Sequence, residues 1–340
     1  MSFIKIEDRI LGSMIGAAYG DMLGAGVEFM TLAQIRATYG PQGHTVPVPA
    51  YGFPHPVITD DTQMAIATAR GIVETSSAAL ADNATLLRNI YAEYLRWHAS
   101  QRDPQQRRAP GTTCMSSLRR GLPGSVAEPV NQSMGCGGIM RAHPVGLAFR
   151  NDPERAFNIG CESAALTHGH PNGYVPAGLL AAIIAEIITK PDLASAVFKA
   201  IALANDRFGW DAVKMISDTA VDFFLIPPDA DLSEIIDRSV GQSIPGKGGG
   251  WLGHDCLAIA MVAALSSFDD PIKAVRLAVN HSGDSDSTGS VAGAMVGALY
   301  GPQPFLDDLA AHGILLERED ELRTLAVKLD AFAKEVRPRA

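Results

Sequence analysis

The stretch ILGSMIGAAYGDMLG, residues 10–24, carries glycine at every fourth position, Gly12, Gly16, Gly20 and Gly24. Residues four apart share one face of a helix, so the spacing predicts a helix with a smooth stripe. Glycine inside a helix costs up to ~1 kcal/mol relative to alanine, and four on one face point to close approach by another helix. The same spacing recurs in GSVAGAMVGALYG, residues 289–301, through Gly289, Gly293, Gly297 and Gly301. Tight packing accounts for both stripes. Glu7 and Asp8 precede the apolar run Ile10 to Leu23 and Asp21 interrupts it, so it reads as a buried helix and not as a signal peptide. Each stripe adjoins carboxylates: Asp21 and Glu28 near the first, Asp284 and Asp286 just before the second.

Outward from the stripes the chain keeps helical spacing. Leu87, Ile90, Tyr91, Tyr94 and Leu95 fall on one face, and Ala177 to Ile188 is apolar nearly all round, the pattern of a central helix. Asp270 and Pro271 supply a cap and a first-turn proline for a helix running to Val279. Long non-helical stretches are expected at Gly40 to Pro56, Gln101 to Gly111, Gly121 to Gly138 and Gly241 to Gly253. The expectation is an all-α fold, one domain over residues 1–340, since no charge run or low-complexity linker divides the chain. A net charge of −9 argues against a nucleic-acid groove. No segment reaches the ~18 uninterrupted apolar residues of a membrane span. The four cysteines, Cys114, Cys136, Cys161 and Cys256, form no CxxC pair, which predicts neither a zinc cluster nor a disulfide framework and fits a reducing cytoplasm.

Two motifs carry carboxylates into helix starts. In Thr59-Asp60-Asp61-Thr62, an N-cap accounts for one residue, whereas two adjacent carboxylates repel unless a cation lies between them; cap and metal site are evenly matched for this motif taken alone. In Ser282 to Gly289, Asp284 and Asp286 stand two apart with hydroxyls between, a donor set suited to hard cations. A calcium EF-hand would require its bidentate acid at Met295, so that reading fails. The four aspartates would neutralise two divalent ions. Gly135-Cys136-Gly137-Gly138-Ile139-Met140-Arg141 is a glycine-rich turn able to expose amides to phosphate, although it matches neither the P-loop nor the dinucleotide fingerprint. In Thr167-His168-Gly169-His170 two histidines stand two apart; without further His or Cys nearby they read as structural or substrate-contacting, outside the metal site.

The ordered set of Gly20 to Gly24 with Glu28, Thr59 to Thr62, Gly135 to Arg141, Thr167-His168 and Ser282 to Gly289 resembles the ADP-ribosylglycohydrolases, over about Ile10 to Gly301. The resemblance implies a helical domain with a binuclear Mg²⁺ or Mn²⁺ centre in a central cleft. By position it implies Thr59, Asp60, Asp61, Asp284, Asp286 and Ser287 as metal ligands. It places the diphosphate on Gly135, Cys136, Gly137 and Gly138, with Ile139 and Met140 completing that side of the substrate site, and His168 near the distal ribose. Glu28 aligns with the family's mobile glutamate, and Glu28, Asp61 and Asp284 are the expected catalytic carboxylates. Gly26 stands where proline is usual, Cys136 where many members carry asparagine, and Ser285 and Ser287 where many carry threonine.

The expected reaction is hydrolysis at the anomeric carbon of the distal ribose. A water activated by metal or carboxylate attacks, Glu28 or a ligand aspartate accepts its proton, and the carboxylates offset the oxocarbenium-like charge. The acceptor expected from the bacterial members is ADP-ribosyl-arginine on a protein; ADP-ribosyl-serine and O-acetyl-ADP-ribose are the alternatives. Two rival readings are a binuclear phosphoesterase, which would release AMP, and a catalytically silent ADP-ribose-binding protein, against which the complete carboxylate set argues. Acceptor choice is expected in the loops Gly40 to Pro56 and Gln101 to Gly111, where Arg102, Arg107 and Arg108 read as a solvated charge cluster.

Overall fold

A computed structural model describes residues 4–76, 82–209, 230–240, 248–267 and 269–336, together with 214, 216, 218 and 219. Its first helix, α1 (Ile6–Gly24), lies antiparallel to the helix Ser285–Tyr300, and the two glycine stripes face each other along the whole contact. A β-carbon on Gly16 would stand 2.3 Å from the carbonyl oxygen of Gly293, and one on Gly20 would stand 2.0 Å from that of Gly289. Only bare backbone fits there. The pair is buried on all sides, which is why neither sequence shows an apolar/polar alternation of faces.

Between these partners the described residues form α2 (Leu32–Tyr39), α3 (Asp60–Val73), α4 (Asn83–Ser100), α5 (Thr112–Arg119), α6 (His143–Ala148), α7 (Pro153–Ala165), α8 (Pro171–Thr189), α9 (Leu193–Phe208), α10 (Leu232–Ser239), α11 (Gly253–Ser266) and α12 (Pro271–Val279). The Ser285–Tyr300 helix is α13, followed by α14 (Gln303–Ala311) and α15 (Glu319–Glu335). Among the described residues there is no β-strand, only isolated bridges joining Gly135 to Leu252 and Gly249 to Gly283. The fold is all-α and forms a single compact domain around one large core.

Helix α8 runs through that core, packed by α6, α7, α9, α11 and α13. It is long and apolar enough to cross a membrane, yet 83% of its apolar window is buried inside the protein. Asp270 caps α12 by accepting from the amides of Ile272 and Lys273. On α4 the buried residues are Leu86, Ile90, Tyr91, Glu93, Tyr94 and Trp97, with Leu87 and Leu95 half-buried at the border, so the expected stripe holds through Ile90, Tyr91 and Tyr94 and widens toward Leu86, Glu93 and Trp97. Residues 40–56 and 101–111 contain no helix, as their Pro and Gly content predicts. Of the expected loop Gly241 to Gly253, residues 241–247 lie outside the described residues.

Candidate active site

The starts of α3 and α13 open onto one cleft of about 690 Å³. Thr59 caps α3, its Oγ1 accepting from the amide of Asp61 at 3.2 Å. Capping therefore uses the threonine and leaves both carboxylates of the first turn to the cleft. Asp60 Oδ2 accepts from the amide of Gly111 at 3.1 Å, while Asp61 Oδ2 is buried and has no hydrogen-bond partner. Asp284 caps α13, accepting from Ser287 N at 3.3 Å through Oδ1 and from the Cys136 thiol at 2.9 Å through Oδ2. Asp286, in the first turn, accepts from Ser287 N at 3.0 Å. Both helix starts present their partly positive ends to these acids.

Glu28 lies in the turn after α1 and joins the same group. It, Asp284 and Asp286 each offer an oxygen within 4.8 Å of the others, and the Tyr51 hydroxyl donates to Glu28 Oε2. Expected as a catalytic carboxylate only, Glu28 is thus also placed where it could ligate. Burial raises the carboxyls of Asp60, Asp61, Asp284 and Asp286 above the ordinary range, and the charge of Asp286 adds to it for the other three. Glu28 is pushed up to about 11 by burial, then by Asp286 and Asp284. Carboxylates so crowded must bind protons or cations. An orphaned acceptor on Asp61, oxygen-only donors and a dense negative charge together fit hard divalent cations.

Behind the cleft lies Asp21, which the sequence shows as a carboxylate beside the first glycine stripe without giving it a role. It is fully buried and accepts from Thr59 N at 2.9 Å, Thr59 Oγ1 at 2.7 Å, Thr62 N at 3.1 Å and the Thr62 hydroxyl. It ties the start of α3 to α1. Burial, followed by the charge of Asp286, raises its carboxyl to about 7.

Gly135, Cys136, Gly137 and Met140 also line the cleft, whereas Gly138, Ile139 and Thr59 are buried and do not. The amide of Cys136 donates to Trp251 O at 3.0 Å and that of Gly135 to Ser133 Oγ at 3.3 Å, so these two amides hold the loop in place. A β-carbon at Gly137 would stand 2.8 Å from Cys114 Sγ and 3.0 Å from His168 Cε1. The glycine keeps the wall flat where His168 enters. His170, by contrast, caps α8 through Nδ1 and stays out of the cleft.

Several lining residues escaped the sequence. Phe29 and Trp251 stack at the rim with centroids 5.2 Å apart and planes at 28°. Tyr51 comes from the first expected rim loop and Arg107, Pro110 and Gly111 from the second. Arg108 corrects the solvated cluster: it is buried, donates to Ile58 O at 2.9 Å, pairs with Glu317 and lies over the Phe53 ring. Only tertiary packing could show that one of three nearby arginines points inward.

The chain matches the ADP-ribosylglycohydrolase family over residues 3–338. It is 26% identical over 300 residues to the ADP-ribosyl-[dinitrogen reductase] glycohydrolase of Rhodospirillum rubrum, covering 87% of each chain. It is 26% identical over 297 residues to ADP-ribosylhydrolase ARH1 of Dictyostelium discoideum, covering 72% of this chain and 74% of that one. In three dimensions it is similar to a solved ADP-ribosylglycohydrolase-related protein, with a TM-score of 0.69, 24% identity and coverage of 97% and 99%. A family match along nearly the whole chain, on a helical fold whose acids converge in one cleft, makes this protein a glycohydrolase enzyme belonging to the ADP-ribosylglycohydrolase family.

Proposed function

We propose that the protein releases ADP-ribose from ADP-ribosyl-arginine on a protein, in a divalent-cation-dependent hydrolysis at the anomeric carbon of the distal ribose. The observation that carries this reading is the convergence of Asp60, Asp61, Asp284, Asp286 and Glu28 in one buried cleft, with one carboxylate oxygen left unpartnered. Asp60, Asp61, Asp284 and Asp286, with the Ser287 and Thr59 hydroxyls, would hold two ions, Mg²⁺ or Mn²⁺. Bound there, the ions supply the positive charge the carboxylates lack and polarise water and ribose hydroxyls. Thr59 Oγ1 donates to Asp21 and accepts from the Asp61 amide, which leaves it a second lone pair with which to ligate.

The ring of acids favours the oxocarbenium-like transition state, in which positive charge grows on the ribose. Glu28 is placed to accept a proton from the attacking water, with Tyr51 fixing its orientation. It can do so only when positive charge in the cleft offsets Asp286 and Asp284, because without that charge its carboxyl stays protonated. The flat wall at Gly135 and Gly137 gives the diphosphate room beside His168, and Phe29, Tyr51 and Arg107 at the rim are placed to meet the acceptor. An arginine acceptor is favoured by the resemblance to the bacterial members, and a protein acceptor by the Rhodospirillum relative, named as a glycohydrolase of ADP-ribosyl-[dinitrogen reductase]. All four cysteines are free, which suits the reducing cytoplasm proposed as its setting.

The test is product analysis with ADP-ribosyl-arginine, ADP-ribosyl-serine and O-acetyl-ADP-ribose, with Mg²⁺, with Mn²⁺ and after chelation. Release of free ADP-ribose from the arginine conjugate, lost on chelation and in Asp60→Ala and Asp284→Ala, is expected. AMP as the product, or binding without turnover, would replace this reading.

A further inference from the structure

Among the described residues Arg141 is the largest fully buried side chain, and no carboxylate lies within ion-pair reach of it. Its guanidinium lies 4.1 Å from the centroid of the Tyr94 ring, and Nη1 faces the sulfurs of Met64 at 3.3 Å and Cys114 at 3.8 Å. Its strongest polar contact runs from Nη2 to Thr167 Oγ1 at 2.6 Å. A buried cation of this kind needs a reason, since desolvation is costly without a partner. Thr167 Oγ1 lies in turn 2.8 Å from His168 Nδ1, and the other side of that ring enters the cleft, where Nε2 stands 3.4 Å from the β-carbon position of Gly135.

Hydrogen-bond valence gives the chain a direction. Arginine only donates, so it fills a lone pair of the hydroxyl. The hydroxyl has one proton to give, with His168 Nδ1 at 2.8 Å and the carbonyl of Ala164 at 3.5 Å as the available acceptors. Distance favours the ring nitrogen, and donation from a cation polarises the hydroxyl in the same sense. Nδ1 then accepts, and the ring proton must sit on Nε2.

We propose that Arg141 and Thr167 are positioning residues that fix His168 as the neutral Nε2–H tautomer, so that its ring donates a hydrogen bond to an oxygen of the bound ADP-ribosyl group. The donation to ligand rests on the function proposed above; the tautomer does not. A donor locked in this way meets phosphate or ribose oxygens without adding charge to the site. It also explains why a cation is buried behind an acidic cleft without touching any acid.

The test is imidazole nitrogen NMR of histidine-labelled protein at one pH, with and without ADP-ribose, for wild type, Thr167→Val and Thr167→Ser. The hydroxyl is the residue to vary, because replacing Arg141 removes a core side chain and can unfold the chain. Wild type is expected to show the Nε2–H pattern for His168, with that proton shifting when ADP-ribose binds. Thr167→Val is expected to lose the single-tautomer pattern and to weaken ADP-ribose binding about tenfold, the scale of one lost hydrogen bond to a buried group, while Thr167→Ser restores both. An Nδ1–H pattern in wild type, or an unchanged pattern in Thr167→Val, overturns the relay; an Nε2–H signal indifferent to ADP-ribose overturns the donation. A confirmed tautomer in a protein that hydrolyses no ADP-ribosyl conjugate would leave the relay standing and remove the proposed function instead.

Discussion

Asp21 shows what a single buried acceptor contributes at the residue scale. Its two oxygens receive four donors, two of them backbone amides that cannot rotate away. In Asp21→Asn one oxygen becomes an NH₂ that faces donors, leaving at least one buried N–H unpaired. The expected cost is ~1–3 kcal/mol in urea unfolding, with at least tenfold weaker divalent-cation binding as the α3 start loosens. Wild-type stability in that variant would remove Asp21 as the anchor. Tyr51→Phe is expected to do the opposite: stability is kept, while kcat falls because Glu28 loses the donor that orients it. Equal kcat in the two proteins would leave Glu28 without need of that hydroxyl. Asp60, Asp61, Asp284 and Asp286 were legible because paired acids at helix starts are conspicuous. Asp21 stands alone in an apolar helix, 38 positions before Thr59, and Tyr51, Phe29 and Trp251 are ordinary loop aromatics until the fold gathers them.

At the scale of elements, the glycine stripes decide how α1 and α13 meet, and the meeting sets where Glu28 and Asp284 lie, since each follows or precedes one end of a stripe. The stripes were readable as close-packing surfaces because a period of four is local information. That they pack against each other is not local: the matched pairs Gly20–Gly289, Gly16–Gly293 and Gly12–Gly297 are 269, 277 and 285 positions apart, and no spacing rule reports a partner that distant.

 Gly20→Ala tests the contact. Its added carbon would stand 2.0 Å from a backbone oxygen that cannot swing aside, so the helices must separate. The expected loss is ~1–3 kcal/mol or more, as for an overpacked core, read as a fall in Tm. Because the stripe carries the acids, weaker cation binding should accompany it; an unchanged Tm would show that the two helices can part freely. The wider buried face of α4 has a similar origin, because Trp97 and Glu93 take buried places that the local apolar pattern does not assign them.

At the scale of the whole molecule, buried groups of two kinds oppose each other as pH falls. His44, His143 and His168 are held neutral by burial, lowered to about 4, about 3 and about 3 respectively. Their unfolded forms take up protons near 6.5, so between about 6.5 and their folded values the unfolded state binds more protons and stability falls with pH. Asp21, raised to about 7, works the other way: the folded state takes its proton first, and stability rises as pH drops from about 7 toward the unfolded carboxylate value. His143 isolates the first effect, because it lies at the start of α6, outside the residues that line the cleft. Replacing it by a side chain that does not titrate removes its share of the acid destabilisation, ~3 kcal/mol between about pH 7 and about pH 4.5 for a group with this shift. His143→Gln should therefore show a flatter decline in urea-unfolding free energy over that range than wild type, whatever its stability at neutral pH. If the two proteins decline in parallel, His143 takes up its proton in the folded state at an ordinary pH, and the acid sensitivity of the fold comes from other buried histidines, His44, His168 and His281 among them.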